Sequence, residues 1–382
     1  MRFPDFPREE ISARQNKART LMDEKGFDAL LLTTENNYRY LSGHWTQFWV
    51  SKTRPMFMLL PLKGDPALLV SGAELGVAKS TSWVEDIRPS SGFAKESMDL
   101  LIETLEEFGL TESTIGMELG VEQRLGLPYN DFLRLKKELP RIKVRDAADL
   151  LWTLRQVKSR AEIRWMKQAA SNNDQAVEEV LGSVKAGMTE EELYRQLCLK
   201  MTEYGNKPGY IPITSGGGNY DRVTGGPTDR TFKEGDLIWV DNCSTYKGYW
   251  VDYCRILAIG HATQEQKDMY KLVYDVMWKC IDAVKPGIPV SEIMRVCNQE
   301  FEKAGEEQSR VGRMGHSLGL DLTEPPSLTL GDHTLIEPGM VLAIEPNILK
   351  EYGYFQLEED VVVTEAGCEV ISHPAEETLP LR

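Results

Sequence analysis

The stretch LIWVDNCSTYKGYWVDYCRILAI, Leu237 to Ile259, decides how the second half of the chain is read. LIWV leads into Asp241, Lys247-Gly248 supplies a turn, and the run after the turn carries Asp252. Apolar or alternating runs joined by a short glycine-containing loop read as a β-hairpin. Such a bend would bring the two carboxylates together in apolar surroundings. Buried carboxylates at close range repel, and both stay ionised only with a cation between them. The stretch therefore predicts a metal site, with further ligands to be sought elsewhere. Cys243 and Cys254 each follow an aspartate by two residues, on the same face of an extended strand. A thiolate ligand is conceivable there, although hard oxygen ligands dominate.

Outward from this stretch, the length of 382 residues suggests two domains, and 41% hydrophobic with 27% charged residues is ordinary globular composition. A net charge of −15 argues against nucleic acid or an anionic membrane as partner. No segment approaches the roughly 20 apolar residues needed to span a bilayer. The opening MRFPDFPREEI lacks the apolar core of a signal peptide. Six cysteines without a CxxC pair read as reduced core residues of a cytoplasmic protein.

Before the central stretch, helical apolar spacing runs from Ile11 to Gly26, and FDALLLTT (Phe27 to Thr34) suits one buried strand. NNYRYLSGHW reads as an aromatic loop, and RPMFMLLPL with PALLVSG as a hairpin across Lys63-Gly64-Asp65. A helix near Met98 to Phe108, the strand TIGMEL, a helix near Asn130 to Glu138 and the strand KVRDA follow. Strands alternating with helices predict an α/β domain over residues 1–152. The boundary falls in LLWTLRQVKSRAEI, and residues 153–382 form the second domain. There a long helix reaches about Leu181, capping boxes at Thr189/Glu192 and Thr263/Gln266 open two more, and Ser291 opens a fourth. Helices grouped with antiparallel strands make this second domain α+β.

The remaining ligands have comparable settings. His316 stands among glycines in MGHSLGLDLTEPP, where a close-approaching atom has room. Glu345 closes the apolar strand of GMVLAIEPNI, and Glu358 starts the apolar strand of YFQLEEDVVVTEAG. An isolated buried glutamate costs on the order of several kcal/mol unless paired. Each residue alone is more often a turn, cap or satisfied core residue. Together, four carboxylates and one imidazole suit two hard or borderline divalent cations.

With these motifs the chain resembles the pita-bread metalloenzymes (family M24), the group of methionine aminopeptidase, aminopeptidase P, prolidase and creatinase. FDALLLTTENNYRYLSG is similar to the creatinase-type N-terminal domain, and LRQVKSRAEIRWMKQAA to the helix that opens the catalytic domain. The resemblance implies an α+β pita-bread catalytic domain preceded by a creatinase-type α/β domain. It places the metal ligands on Asp241, Asp252, His316, Glu345 and Glu358, with Asp252 and Glu358 bridging. It implies that two metal ions lower the pKa of a shared water. Glu345 would also accept and donate that water's proton. Manganese leads among candidate metals; cobalt, iron and zinc also fit. A homodimer is implied as well, with N-terminal loops covering the neighbouring subunit's site.

The chain departs from the family's peptidases around the substrate. Gly225 and Gly226 stand where a histidine is expected, Thr323 holds the place of a second, and Gln356 that of an arginine. Arg222 or Arg230 could instead hold a substrate carboxylate, Asp221 an amine, and Tyr220 a developing oxyanion. His44 and Trp45, in GHWTQFW, are further candidates for substrate contact. The leading expectation is a metal-dependent hydrolase acting on a small C–N substrate, a short peptide with proline, as in Xaa-Pro aminopeptidase or prolidase. The alternative is a non-peptidase reaction on this scaffold: creatinase-like amidinohydrolysis, ectoine hydrolysis or dimethylsulfoniopropionate cleavage. A third reading is a metal-free binding scaffold, which the full set of five ligands disfavours.

Overall fold

The computed structural model describes residues 2–307 and 313–382. The chain separates into two compact units, Met1–Arg155 and Gln156–Arg382. In the first, six strands form a mixed sheet in the order Asp86–Ser90, Ala67–Ser71, Phe57–Pro61, Ala29–Leu32, Thr114–Met117, Lys143–Asp146. The hairpin across Lys63-Gly64-Asp65 pairs Phe57 with Leu69, and Ala29–Leu32 lies parallel to Thr114–Met117. Ala29 to Leu32 are buried throughout, because a central strand has both faces covered.

One segment differs from its sequence reading. NNYRYLSGHW forms most of the helix Glu35–Ser42, which ends where Gly43 takes a left-handed φ of 71°. Its aromatic content suggested a loop, but Tyr38 and Leu41 are buried. Gly43 is the stop signal that the aromatics obscured.

The second unit carries two helix pairs. Arg160–Leu181 packs on Glu190–Glu203, and Gln264–Ala283 on Ser291–Lys303. Ser159, Thr189 and Thr263 each form a capping box with the residue three positions on. Ser291 is the first residue of its helix, and Val290 stands at the cap.

Between the pairs runs the central hairpin, whose period-two alternation feeds two cores at once. Ile238 and Val240 pack with Val177 and Leu193 of the first pair. Leu237 and Trp239 pack with Met277 and Phe301 of the second. Because both faces are buried, the run reads as almost continuously apolar, and Asp241 terminates it. Beyond it a five-stranded antiparallel sheet orders Glu324–Ser327, Gly315–Ser317, Val341–Ile344, Glu359–Val363 and Cys368–Val370. Among the described residues no helix is long and apolar enough to cross a membrane.

The strand Gly315–Ser317 depends on its glycine. Gly315 has φ +153°, and a Cβ there would stand 2.1 Å from the Ala343 carbonyl oxygen of the paired strand. Gly315→Ala is expected to destabilise the protein by about 1–3 kcal/mol, read as a lower urea midpoint. An unchanged midpoint would show that the strand pair yields freely.

Candidate metal centre

The two aspartates are brought together by a break in the central hairpin. Tyr246 pairs with Tyr249 across Lys247-Gly248, both with positive φ, as a tight hairpin turn requires. Further from the turn, Asp241 pairs with Cys254, so its cross-strand partner is not Asp252. Asn242-Cys243 on one arm and Asp252-Tyr253 on the other interrupt the ladder, and there the arms pass from one three-stranded sheet to another. The Asp252 amide, freed from the ladder, donates to Asp360 Oδ2 at 2.9 Å.

The other three residues arrive from the five-stranded sheet. His316 lies opposite Ala343, Glu345 follows the strand Val341–Ile344, and Glu358 precedes Glu359–Val363. His316 Nδ1 lies 3.0 Å from the Ser317 carbonyl oxygen, which can only accept. Nδ1 therefore carries the hydrogen, and the Nε2 lone pair faces Asp252 Oδ2 at 3.5 Å and Glu345 Oε1 at 3.7 Å. This is the arrangement that holds a neutral imidazole in the tautomer a metal needs. Ligand atoms of Asp252, His316 and Glu358 lie within 4.8 Å of one another, as do those of Asp241, Cys243 and Asp252. Asp252 belongs to both groups.

The electrostatics carry the same message. Burial, then the neighbouring Asp252 charge, raise Asp241 and Glu358 well above the usual carboxylate range. The same two causes push Glu345 up to about 8, against the opposing pull of Arg313 and Gln356. Glu358 is 1% exposed, and its Oε1 has no hydrogen-bond partner in the described structure. Buried oxygens are almost always partnered, and a cation would supply what this one lacks. Four converging carboxylates and one imidazole lone pair fit two divalent cations of hard or borderline character.

The predicted substrate residues scatter more widely. The Tyr220 hydroxyl accepts from the Leu237 amide at 3.2 Å, within the core. Arg230 grips Asp236 bidentately at 2.8 and 2.9 Å and reaches Ser215. Arg222 donates to the Gly226 carbonyl, while Asp221 and Thr323 are exposed. In the first unit Trp45 is 41% exposed, with the Arg39 guanidinium 5.9 Å from its ring centre. His44 is fully buried, bonded through Nδ1 to Thr81 Oγ1 at 2.8 Å, and burial lowers its pKa to about 4.

Two supporting residues escape a search for ligands alone. Asp360 is fully buried and anchors Asp252; its signal was a third acid in the apolar strand after Gln356. Gln356, read only as a departure, donates from Nε2 to Glu345 Oε2 at 2.5 Å and accepts from the Tyr354 hydroxyl at 2.9 Å. The strand bearing His316 is also tied at Ser317. Lys158 Nζ bridges Ser317 Oγ at 3.0 Å and Glu324 Oε2 at 3.2 Å, both ends of the ion pair being 1% exposed.

Comparison with known proteins extends along almost the whole chain. The sequence model for metallopeptidase family M24 matches residues 164–365, and that for the creatinase/prolidase N-terminal domain matches 14–157. An Xaa-Pro dipeptidase of Pyrococcus horikoshii is 27% identical over 360 residues, covering 94% of this chain and 96% of that protein. An uncharacterized peptidase of Bacillus subtilis is 27% identical over 369 residues, covering 96% and 99%. Among solved structures, a dipeptidase from Pyrococcus horikoshii superposes with a TM-score of 0.85 at 26% identity, covering 97% of this chain and all of that one.

The raised site carboxylates hold more protons in the folded, metal-free protein than in the unfolded chain, for Glu345 up to about pH 8. Their contribution to stability therefore falls as pH rises through that window. Cation binding requires the deprotonated groups, so its stabilising effect grows with pH. Calorimetry of metal-loaded and chelator-treated protein is expected to show a Tm gap that widens from about pH 6 to about pH 8.5. A gap independent of pH would contradict this electrostatic account.

Proposed function

Because the chain belongs to metallopeptidase family M24, with a creatinase-type domain before the pita-bread catalytic domain, we propose that it hydrolyses the Xaa-Pro bond of short peptides. The observation that carries this reading is the convergence of Asp241, Asp252, His316, Glu345 and Glu358, drawn from strands far apart in sequence. The named relatives supply the substrate class: the Pyrococcus protein is called an Xaa-Pro dipeptidase. The non-peptidase alternatives are not favoured by these likenesses.

In this reading Asp241 would hold one cation and His316 the other, with Asp252 and Glu358 as ligands available to each. Two such cations, manganese first among them with cobalt, iron and zinc as alternatives, would lower the pKa of a coordinated water and polarise the scissile carbonyl. Glu345 holds a cation and handles the proton. Gln356 fixes its Oε2, leaving Oε1 toward His316. The carboxylate takes a proton from the attacking water and delivers it to the proline nitrogen as the C–N bond breaks. That nitrogen leaves as a secondary amine, so the proton count closes within the site.

A cytoplasmic homodimer completes the proposal. The six free cysteines suit a reducing compartment, and sedimentation analysis tests the dimer.

Manganese-loaded protein is expected to turn over a panel of Xaa-Pro dipeptides and longer peptides. Asp252→Ala removes a ligand common to both groups and is expected to cost about 10³-fold or more in kcat/KM, as several kcal/mol of lost charge stabilisation implies. Absence of turnover with two metals demonstrably bound would sink the peptidase reading and direct the search to small amides and amidines.

A further inference from the structure

Cys243 stands beside the centre without a role in the five-residue ligand set. Its side chain is fully buried, with Sγ 3.0 Å from Asp252 Oδ1 and 3.4 Å from Asp241 Oδ1. It lies in the break between the strands Leu237–Asp241 and Ser244–Tyr246, two residues beyond Asp241. Its position is fixed from behind. The Cys243 amide donates to the Tyr210 carbonyl at 3.1 Å, and its carbonyl accepts from the Gly209 amide at 3.0 Å. The sulfur is thus held in the notch where the hairpin ladder breaks, facing both aspartates.

The 3.4 Å spacing to Asp241 is that of two ligands to one ion, and the 3.0 Å spacing to Asp252 falls just short of it. Metal–sulfur and metal–oxygen bonds of about 2.3 and 2.1 Å, set between a right angle and the tetrahedral angle, place sulfur and oxygen about 3.1–3.6 Å apart. Cys254 makes the contrast. It also follows its aspartate by two residues, but its Sγ donates to the Gln356 carbonyl at 3.0 Å and is spent there. The partnerless Glu358 Oε1 independently marks the same centre as short of a cation.

We propose that Cys243 is a sixth protein ligand of the metal centre, binding through its thiolate the cation that Asp241 holds. The inference rests on the metal-centre reading above. In the metal-free protein the thiol donates its hydrogen to the carboxylates. When the sulfur–metal bond forms, that proton leaves to solvent and no electron is transferred. A thiolate softens an otherwise hard oxygen site, so zinc, cobalt and iron compete better against manganese at this position than they would with oxygen ligands alone.

X-ray absorption at the zinc edge of the zinc-loaded full chain reads the ligand directly. The wild type is expected to show a sulfur shell at ~2.3 Å beside the nitrogen and oxygen shell at ~2.0–2.1 Å. Cys243→Ser and Cys243→Ala are expected to lose the sulfur shell, and Cys254→Ser to keep it. In competition between zinc and manganese, Cys243→Ser is expected to shift the balance toward manganese. Zinc bound through nitrogen and oxygen alone in the wild type would overturn the proposal while leaving the metal centre standing. A chain that retains no metal would overturn both. The wild-type spectrum decides the matter even where a variant fails to fold.

Discussion

Mutual repulsion among buried carboxylates is the constraint on which the catalytic unit is built. Asp241, Asp252, Glu345 and Glu358 converge, and Asp360 lies directly behind Asp252. Two like charges about 4 Å apart at an effective dielectric of about 20 repel by ~4 kcal/mol, and this set contains several such pairs. The total rivals the 5–15 kcal/mol that holds a whole domain together. The unit tolerates the cluster because protons or cations neutralise it, and because the two apolar cores flanking the central strands are large. A site of this kind exchanges its protons for cations when it binds them, so the two compete.

The scaffold meets that constraint by placing each candidate carboxylate ligand at or beside a strand end. Asp241 ends a strand, Asp252 lies between two, Glu345 follows one and Glu358 precedes another. At such positions the side chain can turn inward while the adjacent backbone remains bonded. His316 is the exception, inside a short strand, and there Gly315 supplies the unusual backbone that lets the neighbouring strand approach. Ser317, Lys158 and Glu324 then pin the strand from the far side.

Much of this was legible in the chain itself. Capping boxes at Thr189 and Thr263, the hairpin turn at Lys247-Gly248 and the acids interrupting apolar runs are local signals with local causes. The helix Glu35–Ser42 was not legible, since burial of its tyrosines is a tertiary fact that propensity does not carry. Nor could spacing reveal that Asp241 faces Cys254 across the ladder. That follows from the break in the hairpin, where the first arm changes its outer partner from Ile213–Ser215 to Lys207–Pro208. Gln356 shows the same limit: the sequence marked it as a missing arginine, whereas the structure shows which carboxylate oxygen it holds. The partners of Arg230 and Tyr220, Asp236 and the Leu237 amide, were not legible, because only folding brings them near.

The separation of the ligands along the chain bears on how the protein is made in the cell. Asp241 leaves the ribosome more than a hundred residues before Glu358, an interval on the order of ten seconds at ordinary rates of synthesis. During that interval the first two carboxylates exist without the strands that complete the site. The full set of candidate ligands is assembled only once the five-stranded sheet has closed. A chain released before its last strands are made has the opening residues of the centre without the rest.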